Sequence, residues 1–219
     1  MTSSQKLTRV TQIGAVNAYL VAEDDGLTLV DTGMRGMDRR VLAAAERLGA
    51  PIVRVVLTHA HGDHVGGLDA LVRRLPEVEV AVSEREAPLL AGDRTLRAGE
   101  PQARLRGSYP GTRARAGRLL VPGDRVGSLE VVAAPGHTPG QIALLDARDR
   151  TLLCGDAFST LGGVATTARP NPRFPLPGLA TWHRPTALET ARALRALRPA
   201  RLAPGHGRVV DDPLAAMDA

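Results

Sequence analysis

Apolar and polar positions alternate in short runs from early in the chain, and the first elements they predict are strands. Val16 to Val21 and Leu27 to Val30 are mostly apolar and are separated by Glu23-Asp24-Asp25-Gly26, a turn composition. Asp31-Thr32-Gly33 closes the second run. From Met37 to Leu48 the apolar spacing becomes that of a helix, which Gly49 and Pro51 stop. Ile52 to Leu57 is rich in β-branched residues and, apart from Arg54, apolar at every position, as in a strand buried on both faces. Residues 65–75 read as helix and Val78 to Val82 as strand. Ser83 with Glu86 three residues later has the form of a capping box opening a short helix.

Periodicity then fails. From about 91 to 118, Gly, Pro and Arg dominate: Arg94, Arg97, Arg104, Arg106, Arg113, Arg115 and Arg118 stand against only Asp93 and Glu100. An irregular stretch this long inside one domain is usually functional or mobile, and it is expected to form a flap or lid. Strands resume at Leu129 to Ala133, Gln141 to Asp146 and Thr151 to Cys154. A second Gly/Pro-rich loop covers residues 159–180, and an amphipathic helix follows over about 185–197 with Pro185 in its first turn. Arg201 to Ala203 is a last short strand before Pro204-Gly205-His206-Gly207. No repeat of fixed period is visible, and 219 residues suit one domain over 1–219.

Composition changes this picture little. Apolar residues make up 43% and charged residues 23%, ordinary for a globular protein. The net charge of +5 rests almost wholly on arginine and by itself suggests an anionic partner. A nucleic-acid platform, however, needs aromatic stacking groups, and the chain offers only Trp182, Tyr19, Tyr109, Phe158 and Phe174. No 18-residue apolar run marks a membrane span, MTSSQKLTRV lacks the apolar core of a secretory signal, and Cys154 has no partner for a disulfide. A cytoplasmic location is the expectation.

The chemistry concentrates in Thr58-His59-Ala60-His61-Gly62-Asp63-His64, directly after the Ile52 to Leu57 run. In extended chain, residues two apart point the same way, so His59 and His61 can reach one ion. Gly62 permits a tight turn that brings Asp63 and His64 round to a second. Imidazole and carboxylate ligands suit zinc, with iron or manganese as alternatives. His137 in Pro135-Gly136-His137-Thr138-Pro139-Gly140, Asp156 in Cys154-Gly155-Asp156 and His206 each follow an apolar strand, and they complete a ligand set.

These motifs resemble the hydrolase branch of the metallo-β-lactamase superfamily, with its H-x-H-x-D-H signature, over nearly the whole chain from Asn17-Ala18-Tyr19-Leu20 to His206. The resemblance implies an α/β fold, a four-layer αββα sandwich with the site along one edge. It implies two divalent cations, one on His59, His61 and His137 and the other on Asp63, His64 and His206, with Asp156 bridging. Asp31, and with it Thr58, would support these ligands from behind. Such a bridging carboxylate is generally missing from the true β-lactamases of this superfamily and present in its glyoxalase II-like thioesterases and lactonases. The implied reaction is attack on a thioester, ester or lactone carbonyl by a bridging hydroxide, with Asp63 ligating and orienting a proton.

Two other classes use a similar ligand set: a mononuclear iron persulfide dioxygenase, and a metal-dependent nuclease or phosphodiesterase. The substrate is expected to be a small molecule. Residues 158–183 and the arginine-rich 91–118 segment would wall the pocket, the latter favouring an anion. Cys154 is expected to be a small buried strand residue, His183 a residue outside the ligand set, and Tyr19 and Tyr109 structural rather than catalytic.

Overall fold

The computed structural model describes residues 6–218; residues 1–5, on which part of the signal-peptide expectation falls, and 219, the last residue of the expected domain, lie outside the described residues. In chain order the elements are β1 (Leu7–Gln12), β2 (Val16–Glu23), β3 (Gly26–Val30), α1 (Met37–Leu48), β4 (Ile52–Leu57), α2 (Gly62–Val65), α3 (Leu68–Arg74), β5 (Glu79–Ser83), α4 (Glu86–Leu90) and β6 (Arg118–Leu120). The second half continues with β7 (Arg125–Val126), β8 (Leu129–Ala133), β9 (Ile142–Asp146), β10 (Thr151–Gly155), β11 (Phe158–Ser159) and β12 (Ala165–Thr166). It ends with α5 (Leu176–Ala180), α6 (Arg184–Ala196), β13 (Arg201–Pro204), β14 (Val210–Asp211) and α7 (Leu214–Met217).

Two six-stranded sheets face each other, ordered β1-β2-β3-β4-β5-β6 and β14-β13-β10-β9-β8-β7, with β11-β12 as a small separate hairpin. The period of two along each strand sorts side chains into layers. Tyr19 and Val21, Val30, Val56 and Ala81 turn inward to meet Ile142, Leu144, Leu153 and Ala203 of the other sheet. Their neighbours Leu20, Leu29, Val55, Leu57 and Val82 turn outward under Met37, Val41, Leu68 and Leu71 of the helices. On the far side Ala143, Leu145, Leu152, Cys154 and Leu202 pack under Ala191 and Leu194 of α6. Three apolar layers thus hold four layers of secondary structure, the αββα sandwich. Each fully buried Leu or Val contributes about 2 kcal/mol of transfer free energy, so the layering is the main source of stability.

Parallel pairing fixes where the site falls. β3, β4 and β5 run parallel, as do β10 and β13, and the segments leaving β3, β4, β10 and β13 at their carboxyl ends carry Asp31, His59, Asp156 and His206.

Several local expectations change. The helix read over 65–75 is divided into α2 and α3, because Gly66 and Gly67 run against the chain at 32–35: a Cβ on Gly66 would lie 3.0 Å from Met34 Cα. The Ser83–Glu86 pair is only half a capping box. Ser83 Oγ does accept from Glu86 N–H at 3.1 Å, but the Glu86 carboxylate reaches away to Ala60, Thr138 and Gly140. The short strands β6, β7 and β14 lie at sheet edges and had no apolar run of their own to announce them.

The segment from 91 to 117 is irregular and fastened down along its length. Gly62 N–H donates to Ser108 O at 2.9 Å, Thr112 N–H to Leu90 O at 2.9 Å, and Asp69 accepts from the Arg113 and Ala114 amides. Among the described residues, no helix is long and apolar enough to cross a membrane.

Cys154 faces the α6 layer, fully buried, and burial pushes its thiol up to about 12. In native protein at pH 8 the thiol should therefore react with an aromatic disulfide reagent at least 100-fold more slowly than in urea-unfolded protein, because only the thiolate attacks. Equal rates would show that the α6 layer opens readily.

Candidate metal centre

The seven residues singled out as ligands converge on one buried cluster. His59, His61 and His137 present ligand atoms all within 4.8 Å of one another, as do His59, His64 and Asp156, and Asp63, His64 and His206. Asp156 stands between the two ends: its Oδ2 is 3.5 Å from His137 Nε2 and 3.1 Å from His206 Nε2, while His64 Nε2 is 3.3 Å from Oδ1. Asp63 Oδ2 lies 3.4 Å from His206 Nε2. All are buried except Asp63, whose side chain is 37% exposed.

Local backbone places these groups. The pairing of β10 with β13 shifts register between Leu153 and Gly155, and Gly155 takes φ +50°. That irregularity breaks the alternation that would have aimed Asp156 with Cys154 into the α6 layer. Gly205 is held by close approach: a Cβ there would lie 2.5 Å from His64 Cε1 and closer still to Asp156 Oδ1. Asp31 adopts φ +60°, a left-handed conformation costly for most residues, and its carboxylate shows what that conformation achieves. Oδ1 accepts from Thr58 N–H at 2.8 Å; Oδ2 accepts from Thr58 Oγ1 and from His64 Nδ1, each at 2.8 Å.

Each imidazole gives one nitrogen to the protein. His59 Nδ1 meets Thr58 Oγ1 at 3.0 Å, and that hydroxyl already donates to Asp31. His137 Nδ1 meets Thr181 Oγ1 at 3.0 Å, a hydroxyl directed to the Thr167 and Pro177 carbonyls. His61 Nε2 donates to Arg106 O at 3.0 Å and His206 Nδ1 to Ala15 O at 3.3 Å. These partners all act as acceptors, so in a neutral ring the outer nitrogen carries the proton and the inner one is bare. His61 Nδ1 and His137 Nε2 then face each other at 3.0 Å with lone pairs, an arrangement that a cation between them resolves. His59 Nε2, His64 Nε2 and Asp156 Oδ1 are buried without a hydrogen-bond partner. Unpartnered buried donors and acceptors are costly, and these three all belong to the candidate ligand set, whereas Arg85 Nη1, Tyr109 OH and Thr151 Oγ1, also buried without a partner, do not. The residues fit divalent metal binding.

Electrostatics divides the cluster. Burial and the neighbouring imidazoles hold His59 far below the usual histidine range, and burial takes His61 to about 4 and His137 to about 3. This trio is neutral, the form that binds metal. Burial also opposes charge on His64 and His206, but Asp156 with Asp31 raises His64, and Asp156 with Asp63 brings His206 to about 9. Burial works against the Asp156 and Asp63 carboxylates too, yet His206 and His64 hold both below the ordinary range.

Other residues take quieter roles. Tyr19 OH donates to Pro204 O at 2.7 Å and Asn17 Nδ2 to Pro204 O and Gly207 O at 2.9 and 2.8 Å, so both fasten the loop carrying His206. Tyr109 packs edge-on to His61 with ring centroids 4.7 Å apart. His183 caps α6 through Thr186 and lies outside the cluster. Sequence reasoning missed Asn17, Glu86, Thr181 and the Arg106 and Ala15 carbonyls. Only Asn17 and Glu86 carried any signal, as polar residues inside or beside apolar runs.

A buried His/Asp cluster at the carboxyl ends of strands in an αββα sandwich defines a metal-dependent hydrolase. The family model of the metallo-beta-lactamase superfamily matches residues 11–206, and the chain belongs to that superfamily. It is 41% identical to the protein YobT of Bacillus subtilis (strain 168), over 95% of this chain and 90% of that one. It is 33% identical to a hydroxyacylglutathione hydrolase of Synechococcus sp. (strain JA-2-3B'a(2-13)), over 68% of this chain; the match spans about half of that enzyme, 53%. Among solved structures, TTHA1623 in a di-iron-bound form superposes with a TM-score of 0.70 at 27% identity, covering 96% of each chain. The BLEG-1 B3 metallo-beta-lactamase shares the fold, with a TM-score of 0.72 at 22% identity over 97% of each chain.

Asp31→Asn keeps a residue that tolerates the left-handed backbone but loses one of the carboxylate's two acceptor oxygens. We expect the metal affinity to fall ~10–100-fold, as for other supporting partners of ligating histidines, with little change in thermal unfolding. Isothermal titration of the metal-free variant measures it; unchanged affinity would remove Asp31 from the site.

Proposed function

We propose that this protein is a dinuclear hydrolase, zinc being the metal of this reading, that adds water to the carbonyl carbon of a thioester, ester or lactone and so cleaves its acyl C–S or C–O bond to give a carboxylic acid and a thiol or alcohol. The observation that carries it is Asp156, whose one carboxylate lies within 3.5 Å of a histidine nitrogen from each end of the cluster. His59, His61 and His137 would hold one cation, and Asp63, His64 and His206 the other, with Asp156 shared. When bound, two such cations polarise a carbonyl and lower the pKa of water toward neutrality.

The chain supplies the rest. Asp63 is the ligand open to solvent, so its carboxylate is placed to orient the attacking water and receive its proton. Asp31, Thr58 and Thr181 keep the imidazoles from rotating. The hydroxyacylglutathione hydrolases among the relatives support an acyl thioester as the first substrate to try. The di-iron-bound neighbour makes iron the competing metal.

A cavity of about 340 Å³ is lined by Arg104, Leu105, Arg106, Gly107 and Leu179, and of these Gly107 packs against the His61 ring. It lies beside His61, whose Nε2 donates to the Arg106 carbonyl. Ion pairs in this part of the chain belong to Arg85, Arg97 and Arg118, which leaves the exposed Arg104 and Arg106 unpaired among the described residues. We read this wall as the recognition site for a small substrate carrying a carboxylate and an apolar stem.

Replacing Asp156 with Ala should lower the metal content, abolish hydrolysis and leave the far-ultraviolet circular dichroism unchanged; full activity would overturn the shared ligand. A panel of thioesters, lactones, β-lactams and bis(p-nitrophenyl) phosphate, run beside metal analysis, tests the reaction class. Faster cleavage of the phosphodiester would favour a nuclease, and one iron with oxygen uptake on a persulfide would favour a dioxygenase. Replacing Arg104 and Arg106 together with Ala should raise KM about tenfold for a carboxylate-bearing substrate, the equivalent of ~1.4 kcal/mol from a lost charge-assisted contact. The kcat should hold, and a neutral analogue should be unaffected; equal effects on both would place recognition elsewhere.

A further inference from the structure

Glu86 is fully buried at the start of α4, where a carboxylate is expensive unless its charge is matched. It makes no ion pair among the described residues; the guanidinium of its neighbour Arg85 is engaged with Glu100 instead. Three hydrogen bonds take the place of a counter-ion. Oε2 accepts from Ala60 N–H at 2.9 Å, and Oε1 accepts from Thr138 Oγ1 at 2.6 Å and from Gly140 N–H at 2.8 Å.

The positions of those donors matter more than their number. Ala60 is the residue between His59 and His61, on the segment leaving the first sheet. Thr138 directly follows His137, on a loop of the second sheet. The loop is pressed against α4: Ser83 Oγ donates to Gly140 O at 2.6 Å, and a Cβ on Gly140 would lie 2.7 Å from Glu86 N. One carboxylate therefore ties together the two separate stretches of chain that carry all three histidines of the trio. The other ligands are anchored independently, His64 through Asp31, and His206 through Ala15 and the Asn17 and Tyr19 contacts to its loop.

We propose that Glu86 is a positioning residue that preassembles the His59, His61 and His137 trio across the two sheets and so sets the affinity of that metal position alone. This rests on the two-cation reading above. An imidazole trio assembled from two sheets loses affinity if either loop is free to drift, because binding must then order it. Glu86→Gln preserves size but turns an acceptor into a donor. Its oxygen can still serve Thr138 and Gly140, but its NH₂ then opposes the Ala60 amide; in the flipped amide the NH₂ opposes the Gly140 amide instead, so either orientation loses a bond to one of the two loops.

The test uses Zn²⁺ and a competing chromophoric chelator on metal-free protein, in two backgrounds. His206→Ala disables the second position and reports the trio; His61→Ala disables the trio and reports the second position. Adding Glu86→Gln should weaken Zn²⁺ binding ~10–100-fold in the first background and not in the second. Thr138→Val, which removes one donor and no charge, should weaken the trio several-fold in the same selective manner, and it carries the test should Glu86→Gln fail to fold. Equal affinity with and without these changes, or an equal loss in both backgrounds, would overturn the assignment. Wild-type protein that binds one Zn²⁺ would instead overturn the dinuclear reading and leave the trio measurement valid.

Discussion

Five buried imidazoles each commit one ring nitrogen to a protein acceptor, and the rest of the centre depends on that constraint. With Thr58, Thr181, Asp31 and the Arg106 and Ala15 carbonyls accepting from the outer nitrogens, the inner ones converge, and those of the neutral His59, His61 and His137 carry bare lone pairs. Among the described residues the protein offers His59 Nε2 and His64 Nε2 no hydrogen-bond partner. Burial keeps His59, His61 and His137 neutral, while the shared Asp156 and its neighbours hold His64 and His206 in a charged network. The cluster is thus poised for cations by desolvation at one end and by carboxylates at the other.

The sandwich exists, at this edge, to bring remote pieces of chain to one point. β4 delivers the H-x-H-x-D-H segment, β10 delivers Asp156, and β13 delivers His206, while the loop after β8 brings His137 from the second sheet. The two sheets meet through the apolar layer of Tyr19, Val56, Leu144 and Leu153, which is rigid but carries no directional information. Direction comes from polar ties laid across the gap at the site. Glu86 binds both ligand loops, Asn17 and Tyr19 hold the His206 loop to β2, and Ile142 N–H donates to Thr58 O at 3.0 Å. The arginine-rich segment then lies over His61 with its own backbone, so one carbonyl both orients this imidazole and belongs to a residue that lines the neighbouring cavity.

Much of this was legible residue by residue. Periodicity was enough for α1, β4, β8, β9 and α6, whose buried faces repeat over five residues or more. It failed at β6, β7 and β14, which are too short to show a period, and across Gly66-Gly67, where close approach of another segment divides one helical pattern in two. The Ser83–Glu86 spacing is a fair sign of a helix start, but spacing cannot say where a glutamate's second oxygen goes. Cys154 and Asp156, two apart, would have shared a face in regular strand; the irregularity at Gly155 separates them.

The sequence by itself determined the candidate His/Asp set and its order, because His59, His61, Asp63 and His64 are local and His137, Asp156 and His206 each end an apolar run. Their family resemblance added the pairing into two sets around Asp156. Only the tertiary structure decided which nitrogen of each ring turns inward, which carboxylate oxygen lies between the sets, and which distant groups, Glu86, Asn17 and Thr181 among them, hold the loops in register. The ties that Glu86 and Asn17 make to these loops join residues 26 to 190 positions apart, and no periodicity or short motif encodes a hydrogen bond across that distance; it arises when two sheets pack and the buried polar atoms must find partners.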